Sequence, residues 1–139
     1  MFEITVTPRF GDVDGLRHIN NCVIPMWFEL GRAPFFQFFN PDMNLENWNL
    51  IMARIVIDFH SQMRLGADVA IRTAVKKIGT SSFTVYQEAW QNGVLGASGE
   101  AVVVHFDFAR QKTCPIPPET KALLKKHLVT AGHPACVRQ

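Results

Sequence analysis

Cysteine is sparse in this chain of 139 residues, which holds only Cys22, Cys114 and Cys136. Three widely spaced thiols form neither a disulfide framework nor a zinc-ligand pattern. Charge is also thin: Asp, Glu, Lys and Arg together make up 19% of residues, and the net charge is +2. That balance argues against the clustered basic surface of a nucleic-acid binder. It leaves room for a local basic rim around a phosphorylated ligand. No run of about 20 apolar residues occurs, so no membrane-spanning helix is expected. The first residues, Met1-Phe2-Glu3-Ile4-Thr5, lack the basic and apolar regions of a signal peptide. The expectation is a cytoplasmic protein. There is no Gly-x-Ser-x-Gly elbow, which argues against a serine hydrolase. The five histidines show no His-x-x-x-His spacing, and neither a metal nor a cofactor is expected.

What is present is apolar. Hydrophobic residues make up 47%, with eleven Phe against a single Tyr. A chain of this size buries a sizeable core without covalent staples. We expect one domain over 1–139, with a core of about 2–128 and a flexible tail over 130–139.

Phe2 to Val6 alternates apolar and polar residues, as a half-buried strand does. Arg9 to Asn21 is a polar loop ending in two helix-capping asparagines. From Cys22, apolar residues recur at helical spacing: Val23, Met26, Trp27 and Leu30. On that phase Glu29 and Arg32 pair on the outer face. Pro25 is tolerated in a first turn. Gly31 and Pro34 predict a kink or break before a second short piece carrying Phe35, Phe36, Phe38 and Phe39. Strand patterns follow over Met52–His60, Val69–Val75, Ser82–Trp90 and Ala97–Phe108. Turns are expected at Gly66-Ala67-Asp68, at Lys76-Lys77-Ile78-Gly79, and at the hairpin signal Asn92-Gly93. Thr120 to Val129 reads as a short helix. Long apolar strands with an open edge invite edge-to-edge dimerisation.

The run Arg9-Phe10-Gly11-Asp12-Val13-Asp14-Gly15-Leu16-Arg17-His18-Ile19-Asn20-Asn21 resembles the signature of the 4-hydroxybenzoyl-CoA thioesterase-like hotdog proteins. That signature has an aromatic residue, Asp-x-Asp, and a Gly-His-Val-Asn-Asn-like run leading into the central helix. Arg64 to Asp68, Ile78 to Phe83, Ala97 to Ala101 and Ile116-Pro117-Pro118 match at similar spacing. The likeness covers about residues 2–128. Arg17 stands where many relatives have Gly. Leu16 stands where the related plant acyl-carrier-protein thioesterases have Asn.

The resemblance implies an α+β hotdog fold: a long central helix wrapped by a five-stranded antiparallel sheet, with a short C-terminal helix. It implies homodimers, often paired into homotetramers, with active sites at the dimer interface and CoA near the surface. The implied activity is hydrolysis of an acyl thioester, with acyl-CoA or, alternatively, an acyl carrier protein as the carrier. Carried across residue by residue, it gives Asp14 as catalytic carboxylate, and His18, Asn20 and Asn21 beside it.

Thioester hydrolysis needs a nucleophile or an activated water, and donors for the oxyanion. A carboxylate at a helix start supplies the first, and the helix start favours its negative charge. Asp14 therefore fits a nucleophile or general base. Backbone N–H groups over Asn20, Asn21, Cys22 and Val23 are the candidate oxyanion donors. Asp12 is the competing acid, in a loop-stabilising role. His18 is either an orienter or a structural histidine, and Asn20 and Asn21 are caps or substrate contacts. Asp58 and His60 share a strand face that is either solvated or near a site, and His105 sits among valines on a sheet face. Lys76, Lys77, Thr80, Ser81 and Arg72 are candidate partners for CoA phosphates, or simply a solvated turn. Trp27, Met26 and the Phe35–Phe39 cluster line either an acyl pocket or the core. Two other functions fit the fold. One is a non-catalytic acyl-CoA-binding module. The other is an enoyl-CoA hydratase, whose Asp-x-Asn-Pro-x-His motif is missing here.

Overall fold

A computed structural model of the chain describes residues 1–130 and His133. The expected tail, and Cys136 with it, lies outside the described residues apart from Thr130 and His133.

Among the described residues, six strands and two helices form the frame: β1 (Phe2–Val6), α1 (Ile24–Phe36), β2 (Leu50–Phe59), β3 (Val69–Ile78), β4 (Ser82–Gln91), β5 (Val94–Asp107), β6 (Lys112–Thr113) and α2 (Pro118–Lys125). The strands make one antiparallel sheet in the order β1-β3-β4-β5-β2, with β6 pairing beside β5. The five long strands match the sequence expectation, and the two-residue β6 is an addition. Asn92 and Gly93 both take positive φ, 51° and 75°, as a tight hairpin between twisted strands requires.

The central helix is shorter than the resemblance implied. α1 has 13 residues and so runs about 20 Å. It is preceded by a turn over residues 21–23 and followed by another over 37–39. The expected break at Gly31 and Pro34 does not occur, and the helix runs through both. The phase also differs from the expected one. Ile24, Trp27, Phe28, Gly31, Arg32 and Phe35 are buried, while Met26 and Leu30 are exposed. Gly31 shows why. A Cβ there would lie 2.8 Å from Thr73 Oγ1 and 2.9 Å from Ile71 Cγ2 on β3, closer than a larger residue could sit without pushing those side chains aside. The helix therefore sits down on the sheet at Gly31, and the stripe containing it is the one that is buried.

The helix-facing side of the sheet forms two core clusters. Trp27, Phe28, Val69, Ile71, Ala89 and Ala97 belong to one. Phe35, Val75, Phe83, Val85, Ala101 and Leu124 belong to the other. Lys76 to Ile78 continue β3 rather than forming a turn, which shifts to residues 79–81. α2 ends at Lys125, short of the expected Val129. Beyond it, Val75 N–H donates to His127 O (2.8 Å) and Val129 N–H to Val75 O (2.9 Å). β1 reaches only as far as Thr73, and residues 127–129 take up the β3 edge beyond it.

Candidate active site

The loop before α1 is built around a buried acid. Asp12 accepts from Arg9 N–H (2.8 Å) and from Arg9 Nη2 (3.2 Å). The Arg9 side-chain and backbone hydrogen bonds hold its carboxyl below the ordinary carboxylate value. Asp12 O accepts from Asn20 N–H, and Met63 O from Ile19 N–H, both at 2.8 Å. Asp12 is thus the loop's anchor.

With its base pinned, the loop tip folds as a small hairpin, bridged between Val13 and Ile19. Asp14 N–H donates to His18 O (2.9 Å), and Arg17 N–H to Asp14 O (3.0 Å). Arg17 takes φ 66°, the left-handed region that favours glycine. Asp14 Oδ1 accepts from Leu16 N–H (2.8 Å) and His18 N–H (3.2 Å). These two bonds fix the carboxylate and leave Oδ2 without a donor among the described residues.

Asp14, His18, Asn21 and Ile24 line a cavity of about 410 Å³ together with Phe59 and His60, where β2 ends. Asn20 has already used much of the helix start. Its Oδ1 accepts from Cys22 N–H (2.9 Å) and its carbonyl from Val23 N–H (2.9 Å). Of the four amides singled out from sequence, only Asn21 N–H lacks an acceptor among the described residues. Ile24 N–H, the first of α1, is also without one, and both residues line the cavity. The arrangement gathers around one space three residues that carry a free carboxylate oxygen and two free amides.

Other sequence candidates fall elsewhere. Trp27 and Val23 pack into the core, and Cys22 is exposed outside the cavity lining. Phe35 is fully buried, and Phe39 stacks on Phe83 at 5.4 Å. Lys76 Nζ donates to Glu100 Oε1 (2.5 Å), and Arg72 Nε to Glu3 Oε2 (2.7 Å). Lys77 and Thr80 are exposed. All of the Lys76–Ser81 group lies at the Leu50 end of the sheet, where Ser81 O takes His105 N–H and His105 pairs with Leu50. Asp14 lies at the Phe59 end, about 30 Å away along β2. A single chain does not bring the two groups together.

His60, on a strand face for which the sequence allows either solvent or a site, lines the cavity. Its Nε2 lies 2.8 Å from Ser98 Oγ. The backbone N–H groups of His60 and Ser61 both donate to Gly96 O, which turns the chain off the sheet edge toward the cavity. Arg32 departs from expectation altogether. It is 3% exposed and donates from Nη1 to Gln87 Oε1 (2.9 Å), with no ion pair to Glu29. Being on the sheet-facing stripe, it cannot reach the outer face. Among the described residues, no group of three or more His, Cys, Asp or Glu gathers at a metal-ligand distance, and no helix is long and apolar enough to cross a membrane.

Comparison with known proteins agrees with this frame. The thioesterase-like superfamily profile matches residues 8–124. A predicted thioesterase from Bacillus stearothermophilus superposes with TM-score 0.91 at 39% identity, over 94% of this chain and 98% of that one. A thioesterase from Thermus thermophilus, complexed with coenzyme A and Zn, gives TM-score 0.79 at 29% identity, over 88% and 96%. A thioesterase-superfamily structure from Jannaschia sp. CCS1 gives 0.80 at 25% identity, over 94% and 86%. No curated protein matches by sequence.

Proposed function

Because this chain belongs to the thioesterase-like superfamily, a family of hotdog-fold thioester hydrolases, we propose that it converts an acyl-CoA and water to a free acid and CoA, with Asp14 as the reacting carboxylate. The observation that carries this reading is the free Oδ2 of Asp14 beside the unpaired amides of Asn21 and Ile24. In the general-base form, Oδ2 takes a proton from water as its oxygen attacks the carbonyl carbon. The two amides hold the oxyanion. The C–S bond then breaks, and the departing thiolate takes the proton back from Asp14. His18, on the cavity wall, donates to the substrate. The coenzyme A complex of the Thermus relative supports CoA as the carrier.

A second copy completes the site in this reading. β2 is the last long strand of the sheet, and its open edge leaves Ile51, Ile55 and Phe59 exposed by 41%, 45% and 57%. An open, apolar edge of this kind pairs readily. Twofold pairing of a strand with its own copy is antiparallel. The Leu50 end of the partner subunit then lies beside the Phe59 end of this one. Lys77, Thr80 and Ser81 of the partner subunit come to the same end of the double sheet as Asp14, where they serve the CoA phosphates.

Thiol release measured over a panel of acyl-CoAs tests the assignment. Asp14→Ala is expected to cut kcat by roughly a hundred- to ten-thousand-fold, with the melting profile and oligomeric state retained. A folded variant that keeps most of its turnover removes Asp14 from the reaction.

A further inference from the structure

Arg32 is a buried cation with no anion bonded to it among the described residues. Its guanidinium bonds to one neutral acceptor, Gln87 Oε1, and Gln87 Nε2 is itself committed to Phe28 O (2.7 Å) and Thr73 Oγ1 (3.0 Å). Arg32 Nε is sealed from solvent without a partner. Arg32 joins none of the ion pairs among the described residues, and Glu29 acts on it only through space. Burial lowers its affinity for its proton. A lone buried charge is costly and is retained where something compensates it.

Arg32 also lines a second cleft, of about 360 Å³, between α1 and the start of β2. Leu30, Phe36, Trp48, Leu50 and Met52 make its walls apolar. It is a mostly apolar slot with the Arg32 guanidinium and the Glu29 carboxylate both in its lining, and it opens between α1 and the β2 edge. Arg32 is eight residues past Ile24, or about 12 Å along the helix. With β2 edges paired as proposed above, the cleft of one copy lies beside the Asp14 cavity of the other.

We propose that this cleft receives the acyl group and that Arg32 selects acyl chains ending in a carboxylate, the half-thioesters of short dicarboxylic acids. The methylenes of such a chain suit the apolar walls, and its distal carboxylate supplies the hydrogen-bonded anion that Arg32 lacks, since Glu29 on the same cleft acts on it only through space. A guanidinium binds a carboxylate through charge-assisted hydrogen bonds, and Arg32 has unused N–H groups to give. A plain alkyl chain would leave the guanidinium with no bonded anion and only the through-space field of Glu29. The inference rests on the thioesterase reading, which it extends to the substrate class.

The experiment compares kcat/KM for glutaryl-CoA and adipoyl-CoA with that for hexanoyl-CoA, in the wild-type protein and in Arg32→Met. The wild type is expected to favour the dicarboxylic thioesters by about tenfold or more. In Arg32→Met that ratio is expected to fall to one or below. A wild type that hydrolyses hexanoyl-CoA as well as or better than glutaryl-CoA and adipoyl-CoA overturns the inference while leaving the hydrolase reading standing. A ratio unchanged in Arg32→Met overturns it as well. Release of thiol from no member of the panel defeats the hydrolase reading itself. Should Arg32→Met fail to fold, competition in the wild type decides. Free glutarate must inhibit turnover more strongly than free hexanoate, and the reverse order rejects the proposal.

Discussion

At the residue scale, Arg17 stands at a backbone position suited to glycine. Left-handed φ costs a side chain roughly 1–2 kcal/mol. Glycine's extra freedom in the unfolded chain offsets about 0.4–1 kcal/mol of any gain. Arg17→Gly is therefore expected to stabilise the fold by up to about 1 kcal/mol, readable from urea unfolding; a clear loss would mean that the Arg17 side chain holds the loop. Asp12 makes a pH-dependent contribution. Its folded-state pKa lies below the ordinary 3.8 because Arg9 hydrogen-bonds to it. A depressed acid stabilises the fold above the unfolded-state value, and that stability is lost as pH falls through the folded value. Asp12→Asn should cost stability at neutral pH and flatten the decline that sets in below about pH 5 and continues as pH falls through the depressed folded value. Equal pH profiles for the two proteins would show that the Arg9 contact contributes nothing.

At the scale of elements, the decisive contact is α1 on β3 at Gly31. Alanine is the better helix former by about 1 kcal/mol, so on an exposed helix Gly31→Ala would stabilise. Here its methyl meets Thr73 Oγ1, Ile71 Cγ2 and, at 3.0 Å, Gln87 Nε2. The expected result is a net loss of about 1–3 kcal/mol from overpacking, measured by chemical denaturation. A gain would mean that the helix can lift away from the sheet. The same contact sets the phase that exposes Met26 and Leu30 and carries Arg32 inward. Periodicity alone placed Met26 and Leu30 inside because both are apolar, and it placed Arg32 outside because it is charged. A glycine that must touch the sheet outweighed all three preferences.

At the scale of the whole molecule, the open β2 edge governs assembly. Ile55→Lys puts a charge at the middle of that edge, a substitution that discourages strand pairing. The expected outcome by light scattering is a dimeric wild type and a monomeric variant. Thiol release by the variant should fall with it, because Lys77 and Thr80 would stay at the far end of the sheet from Asp14. A monomeric variant of full activity would confine the site to one chain.

Much of this protein was already written in its local sequence. The strand alternation, the Asn92-Gly93 hairpin and the run from Arg9 to Asn21 each depend on residues within a few positions of one another. Their chemistry acts over that range: turn geometry, side-chain alternation, an acid bonding to the amides that follow it. Those features placed the five long strands and the Asp14 loop. The tertiary structure alone decided the rotation of α1, the return of residues 127–129 to β3, and the burial of Arg32 against Gln87. Each of these outcomes is settled by contacts between distant segments competing for the same space or the same hydrogen-bonding group. No local pattern records which competitor prevails.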